Sequence, residues 1–383
     1  MMASLDGLQG LLTAPVAPGQ RAVRAVIGTV RSDSEIQQLV DLISALRLPG
    51  STFSATQLAT GPAIAVGTPS GVRGVIETVD DPCGGIQRLV LSPDVPERMD
   101  TDSLAPALHV LSCSVAVAVR DGEATVISGR AGSQAIAVSS LLKTVVFLAV
   151  CQSVRDGALS WDAAVVIRAD DISVLSGGLT NADVGRSLTV TELSASMLLA
   201  SDNTALDVLA RVVGHHVVDR TLADVLGRDN STTATTHFRP SGDVFREAWC
   251  PAGETETQWR QRALREVAHP RGLDYFLPLA AVDRTMVRLL EEDWTPWDAH
   301  AGGADRLLYK GGSAPGVLAA SWYAHREGTP VGLSLALNLP RPLVLMEELY
   351  VYECARRCAE PMGLLRQPPD AENLAPATAG TCA

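Results

Sequence analysis

Helix-period and strand-period stretches follow one another along the 383 residues in an order that suggests two units. Ser32-Asp33-Ser34-Glu35 reads as a capped helix start. Ile36, Leu39, Val40, Ile43, Leu46 and Leu48 keep a mostly helical period until Pro49-Gly50 ends it. Residues 63–66 through 72–79 and residues 86–91 are β-like runs with Gly and Pro at their ends. Residues 20–100 therefore read as a small α+β unit, with a loose Gly/Ala/Pro-rich arm over residues 1–20 ahead of it. Residues 93–106, holding three prolines and several acids, read as a linker.

Beyond the linker the pattern changes. Residues 114–119 and 124–128, joined across Asp121-Gly122, predict a hairpin. Helical stretches dominate residues 139–213, and a polar, poorly patterned segment covers 227–259. A helix is predicted over 277–292, strands over 319–324 and 331–337, and a last helix over 344–358. Val344, Leu345, Leu349, Val351 and Tyr352 read as its core face. The Pro/Ala-rich tail from Gln367 is expected to be disordered. Strands at both ends with helices between imply one sheet completed late by the C-terminal strands. The expected fold class is α+β, with a small α+β domain over 1–105 and a flexible start, a larger domain over 106–365, and a tail over 366–383.

Composition narrows what such a chain can do. At 46% hydrophobic and 19% charged residues it can bury a sizeable core, which places it with soluble globular proteins. The net charge of −12 (31 Lys+Arg, 43 Asp+Glu) argues against nucleic acid and against anionic lipid as partners. A small-molecule substrate is the expected partner, and the sequence leaves the oligomeric state open. The start of the chain lacks a positive segment followed by an apolar one, and no run is long and apolar enough for a membrane span. Seven scattered cysteines then read as reduced thiols, and a cytoplasmic location is expected. Cys354 and Cys358 lie one helical turn apart without a nearby His or third Cys. They read as packing residues, and neither a metal nor a cofactor is expected.

Three short elements carry candidate chemistry. Ser140-Leu141-Leu142-Lys143 opens an apolar, helix-length run, and residues i and i+3 share a helix face, so the Ser140 hydroxyl and the Lys143 amine can meet. A serine becomes a strong nucleophile when an adjacent base takes its proton, and a desolvated lysine can be that base. The same four residues occur in ordinary helices as a cap and a surface lysine. Ser201-Asp202-Asn203 breaks one helical run before Thr204-Ala205-Leu206 resumes another, which equally suits a plain N-cap. Lys310-Gly311-Gly312-Ser313 enters a strand; the glycines let a substrate lie against it, although a glycine-rich turn reads the same way.

In this order and spacing (61 residues from Ser140 to Ser201, 109 from Ser201 to Lys310) the elements resemble the three boxes of the penicillin-recognising serine hydrolases, S-x-x-K, S-D-N and K-T-G. Ser187-Leu188-Thr189-Val190-Thr191-Glu192-Leu193, ahead of the second box, is similar to class A members. The resemblance covers about residues 106–360 and implies a β-lactamase-like domain of antiparallel sheet plus helical subdomain. It implies that Ser140 is the acylated nucleophile, Lys143 its base, Ser201 a proton relay to the leaving group and Lys310 its polarising cation. Asn203 would hold the acyl side chain, Gly312 and Ser313 would bind substrate along the strand, and the N–H groups of Ser140 and Ser313 would form an oxyanion hole. Asp202 would stabilise the corner.

Two departures bear on substrate. Gly311 stands where the third box carries threonine, so it lacks the hydroxyl that helps bind a β-lactam carboxylate, which Ser313 could replace. Class A enzymes carry a deacylating Glu in an E-x-x-L-N loop roughly 35 residues past the second box. Here that region reads Thr235-Thr236-His237-Phe238-Arg239-Pro240-Ser241. Glu247, at a helix start, and His237 are the nearest candidate bases. Without the Glu, esters and thioesters are more plausible substrates than amides. A short α+β front domain with the Glu missing resembles the clavulanic-acid-pathway branch of β-lactamase-like serine hydrolases, whose front domain is cystatin- or steroid-isomerase-like. That implies an esterase or acyl transferase of antibiotic biosynthesis. A β-lactamase or D-Ala-D-Ala carboxypeptidase, and a silent binding module, are the alternatives.

Overall fold

A computed structural model describes residues 2–27, 32–80, 86–176, 178–227, 234–250, 253–263, 265–297 and 306–365. The tail expected over 366–383 lies outside the described residues. The chain begins with α1 (Met2–Thr13), α2 (Gln20–Ile27) and α3 (Asp33–Leu46). The loose arm expected at the start is a packed helix: Leu5, Leu8 and Leu12, one face of α1, are buried with Leu11. α3 starts as its sequence predicts, with the Glu35 N–H donating to Ser32 Oγ at 3.3 Å and the Ser32 N–H to Glu35 Oε2 at 2.8 Å.

Four strands follow as an antiparallel meander, β1 (Thr52–Leu58), β2 (Gly61–Gly67), β3 (Arg73–Asp80) and β4 (Ile86–Pro93). β1 escaped the sequence reading because its polar residues are mostly exposed along an edge. The expected linker carries α4 (Thr101–Leu108), started by a capping box in which Asp100 accepts from the Ser103 N–H at 2.8 Å; Pro106 lies inside it.

The larger unit is built on a five-stranded antiparallel sheet. β5 (Ser114–Asp121) and β6 (Ala124–Ser128) are the expected hairpin, and β11 (Leu307–Ala314), β12 (Val317–Arg326) and β13 (Thr329–Asn338) return to it late in the chain. The strand order β11-β12-β13-β5-β6 leaves β11 on one edge. Between them run β7 (Ile136–Ala137), α5 (Leu142–Arg155), β8 (Ala164–Val166), β9 (Ser187–Thr189), α6 (Val190–Leu199), α7 (Asn203–Val213), α8 (His215–Leu226), α9 (Ser241–Trp249), α10 (Glu256–Ala263), β10 (Phe276–Leu277) and α11 (Leu279–Leu290). α12 (Leu345–Ala359) closes the unit. The segment read as unpatterned thus contains α9 and the first half of α10. Lys310–Ser313 lie within β11 rather than at its entrance.

Period-two alternation divides the sheet between two cores. Ala116, Ala118, Ala319 and Ala336 face the helices around α5, which is buried on nearly every side. Val115, Val117, Leu333 and Leu335 face the opposite way, toward α4, α12 and the front unit. Gly74 of β3 presses onto α12, where a Cβ would come 2.5 Å from Met346 Sδ. Cys354 and Cys358 are buried in this second core. Glu347 of α12 joins the units, accepting from Ser70 Oγ at 2.5 Å and from both Arg341 terminal nitrogens at 2.7 Å. Among the described residues, no helix is long and apolar enough to cross a membrane.

Candidate active site

Ser140 sits in a single 3-10 turn immediately before α5, at the junction of the helical region with the edge strand β11. The turn is bent by Ser139, whose φ of 49° is in the left-handed region that side chains disfavour. That conformation is held from two sides. The Ser139 N–H donates to Asp274 Oδ1 at 2.9 Å, and Ser139 Oγ donates to the Ser313 carbonyl at 3.0 Å. Gly312 is required where the strand crosses this turn: a Cβ there would lie 2.3 Å from the Val138 oxygen and 2.9 Å from the Ser140 nitrogen. Glycine therefore lets Ser313 come alongside Ser140, the arrangement a two-amide oxyanion hole needs.

Lys143 is 1% exposed on the first turn of α5. Its Nζ lies 3.1 Å from Ser140 Oγ, 3.1 Å from Ser201 Oγ, 2.5 Å from the Ser201 carbonyl and 2.6 Å from Asn203 Oδ1. An ammonium has three donors and no acceptor, so these oxygens suit a neutral amine to which a hydroxyl donates in return. Burial, and then the neighbouring positive charge of Lys310, bring the Lys143 pKa down to about 7. Lys310 is 3% exposed and donates to Ser201 Oγ at 2.9 Å and to the Gly311 carbonyl at 2.6 Å. Burial brings its pKa down to about 8. Both lysines hydrogen-bond only neutral oxygens among the described residues.

Ser201 forms the corner between α6 and α7, with φ of 56°, and bridges the two lysines through its hydroxyl. Asp202 builds that corner. Its Oδ1 accepts from the Ala205 N–H at 2.7 Å, and its Oδ2 accepts from Ser176 Oγ and the Gly178 and Leu179 N–H groups at 2.6–2.9 Å. Asn203 turns its amide nitrogen to the Leu175 carbonyl at 2.9 Å, leaving its oxygen on Lys143. Ser140, Lys143, Ser201, Asn203, Lys310, Gly312 and Ser313, far apart in sequence, are thus gathered at one place.

The two candidate bases are elsewhere engaged. Glu247 lies in α9 with its carboxylate exposed and paired to Arg239 at 2.5 Å. His237 has an 82% exposed side chain beside Asp219 and lines a cavity of about 490 Å³ that Ser140 does not line. The space next to Ser140, Lys143 and Asn203 is walled by Val244, Phe245, Trp249 and Leu273, and measures about 10 Å³, close to the room of one water. Asp274 is its carboxylate, which burial pushes up to about 7 while the Tyr275 and Ser139 N–H groups hold it down. The sequence reading missed Asp274, since only the pairing of β10 with β7 brings it to the nucleophile turn. It also missed Asp207, which receives the start of α9 through the Ser241 and Gly242 N–H groups at 2.6 and 3.0 Å. Two larger cavities reach Ser140: one of about 330 Å³ along β11, and one of about 340 Å³ beside Asn203 and Ser313. Among the described residues no cluster of three or more His, Cys, Asp or Glu is placed to hold a metal ion.

Residues 108–258 match the profile of a beta-lactamase enzyme family. An ancestral class A beta-lactamase is 18% identical, covers 68% of this chain and 99% of its own, and superposes with a TM-score of 0.51. The class A beta-lactamase of the last common ancestor of Gram-negative bacteria is 19% identical over 68% of this chain and 98% of its own, with a TM-score of 0.50. A beta-lactamase from Sphaerobacter thermophilus is also 19% identical, over 69% of this chain and 97% of its own, with a TM-score of 0.46. No curated protein matches the chain. The shared property is the fold of the larger unit.

Proposed function

We propose that this chain, a member of the class A β-lactamase and penicillin-binding-protein-like superfamily, is a serine hydrolase or acyl transferase working through an acyl-Ser140 intermediate. One observation carries the reading: Lys143 Nζ stands 3.1 Å from Ser140 Oγ, buried, with a pKa of about 7 and no acid paired to it. A neutral amine there accepts the Ser140 proton as the oxygen attacks the acyl carbonyl. The Ser140 and Ser313 N–H groups receive the developing oxyanion. Ser201, between the two lysines, passes a proton to the departing group while Lys310 polarises its hydroxyl.

The substrate is a small ester, thioester or amide. Esters and thioesters are favoured because an alkoxide or thiolate leaves the acyl carbon more readily than an amine, which eases acylation of Ser140; deacylation must then proceed without a Glu of the class A kind beside it. Lys143, once neutral again, can activate a water for that step, or a second acceptor can take the acyl group. A cytoplasmic role in antibiotic biosynthesis, on an intermediate of β-lactam or clavam type, is part of the proposal, and the small α+β unit ahead of the larger one supports it.

The test is intact-mass spectrometry of wild type and Ser140→Ala after p-nitrophenyl acetate, cephalosporin C or benzylpenicillin. Turnover of the ester or of the cephalosporin acetyl group by wild type alone, with the lactams intact, supports the esterase reading. A lasting penicilloyl adduct supports a penicillin-binding enzyme. Equal rates from both proteins would overturn the acyl-serine assignment.

A further inference from the structure

The two larger cavities that reach Ser140 carry opposite charges. The one along β11 holds Ser201 and Lys310, the groups that serve the departing part of the substrate. The other, of about 340 Å³, holds neither of them, so the acyl part extends into it past Asn203 and Ser313. Among the described residues, Glu348 is the one ionisable side chain in its wall.

Glu348 comes from the first turn of α12, next to Glu347. Adjacent positions on a helix point about 100° apart, so the two acids meet different neighbours. Glu347 takes the Arg341 guanidinium, the Ser70 hydroxyl and the Val344 N–H, and with the last of these the capping of the helix. Glu348 is partly buried, and among the described residues its carboxylate meets neither a hydrogen-bond donor nor a cation. Burial, and then the charge of Glu347, push its carboxyl above the ordinary range. A carboxylate held that way is stabilised by a cation arriving from outside.

The same cavity has an aromatic wall. Phe245 and Trp249 stand one turn apart on α9, with ring centroids 5.6 Å apart, and both line it. Aromatic faces attract an ammonium through the negative side of their quadrupole. One unpaired acid and two rings around a single space suit a cationic guest. A neutral or anionic acyl group would leave the acid desolvated and unpaired.

We propose that Glu348 is the specificity-determining residue of the acyl side. Its carboxylate, with the rings of Phe245 and Trp249, binds an ammonium group at the far end of the acyl chain carried to Ser140. The proposal rests on the acyl-Ser140 reading and narrows its acyl groups to cationic ones.

Two chromogenic esters test it, the p-nitrophenyl esters of 4-(trimethylammonio)butyric acid and of 5,5-dimethylhexanoic acid. They have the same shape and differ in one permanent positive charge. The ratio of their kcat/KM values, cationic over neutral, is expected to fall roughly tenfold in Glu348→Gln and further in Glu348→Lys. Phe245→Leu should lower it by a smaller factor. Added salt should lower the ratio in wild type and leave it nearly flat in Glu348→Gln. Calorimetry of the two free acids on Ser140→Ala, with and without Glu348→Gln, should show the same preference without turnover. An unchanged ratio in Glu348→Gln overturns the proposal. Ester turnover surviving in Ser140→Ala would overturn the underlying acyl-serine reading instead.

Discussion

Two of the places where this protein buries charge do it in opposite ways. At the junction of the front unit and α12, Glu347 has a fully buried side chain, but Arg341 meets both its oxygens and Ser70 and the Val344 N–H add further bonds. Burial pushes its carboxyl up, yet those bonds hold it below the ordinary carboxylate range. At the nucleophile, Lys143 and Lys310 are buried near each other and meet only neutral oxygens. Both are pushed toward the uncharged state. The first arrangement is a fastening, in which each charge is stabilised by its partner. The second raises the energy of the protonated lysine, and that is what makes a lysine a base at neutral pH. Two buried lysines without an acid bonded to them thus mark the proposed site, and the strained turns at Ser139 and Ser201 coincide with it.

Substitutions should separate the two places sharply. Ser140→Ala is expected to lower ester turnover by roughly a thousandfold or more while leaving the melting temperature nearly unchanged. Lys143→Met should lose a comparable factor in turnover, yet match or exceed the wild-type melting temperature, because it removes a buried cation that lacks an acid partner. Glu347→Ala should do the reverse, destabilising the fold by about 1–3 kcal/mol by taking the acceptor away from Arg341, Ser70 and the Val344 N–H, with the folded fraction still active. Thermal unfolding measured beside p-nitrophenyl acetate hydrolysis checks all three. Equal thermal losses in Lys143→Met and Glu347→Ala would erase the contrast. Gly312→Ala is expected to cost roughly a hundredfold in kcat/KM, since its Cβ would push β11 off the nucleophile turn and displace an oxyanion donor.

Legibility in the sequence follows the same division. Ser140 and Lys143 were readable because their relation is local, one helical turn, and Ser201 and Lys310 because they stand in similar local settings. β12, β13 and α12 were readable from apolar runs that their burial requires. Asp274 was not, because it reaches Ser139 only through tertiary pairing of two-residue strands. α1 was hidden because its glycines and the following prolines resemble a loose arm, while its leucines gain their meaning from the core they enter.

A smaller expected effect concerns pH. Below about 7 the folded protein must bury a charged Lys143, whereas an unfolded lysine stays protonated to near 10.5, so this group makes stability rise as pH increases from about 7. The proposed acyl-Ser140 chemistry needs Lys143 neutral and Lys310 charged. Steady-state kcat/KM should therefore rise through about 7 and fall beyond about 8, with both limbs belonging to the coupled pair. Lys310→Met should move the rising limb to higher pH, because the positive charge that depresses Lys143 is gone.

The most direct measurement is the pre-steady-state rate of Ser140 acylation by p-nitrophenyl acetate as a function of pH. The uncompensated-lysine account predicts a midpoint close to 7 for the appearance of p-nitrophenol and of the acetylated protein. A rate still climbing toward the ordinary lysine range near 10, or one independent of pH between 5 and 9, would contradict it.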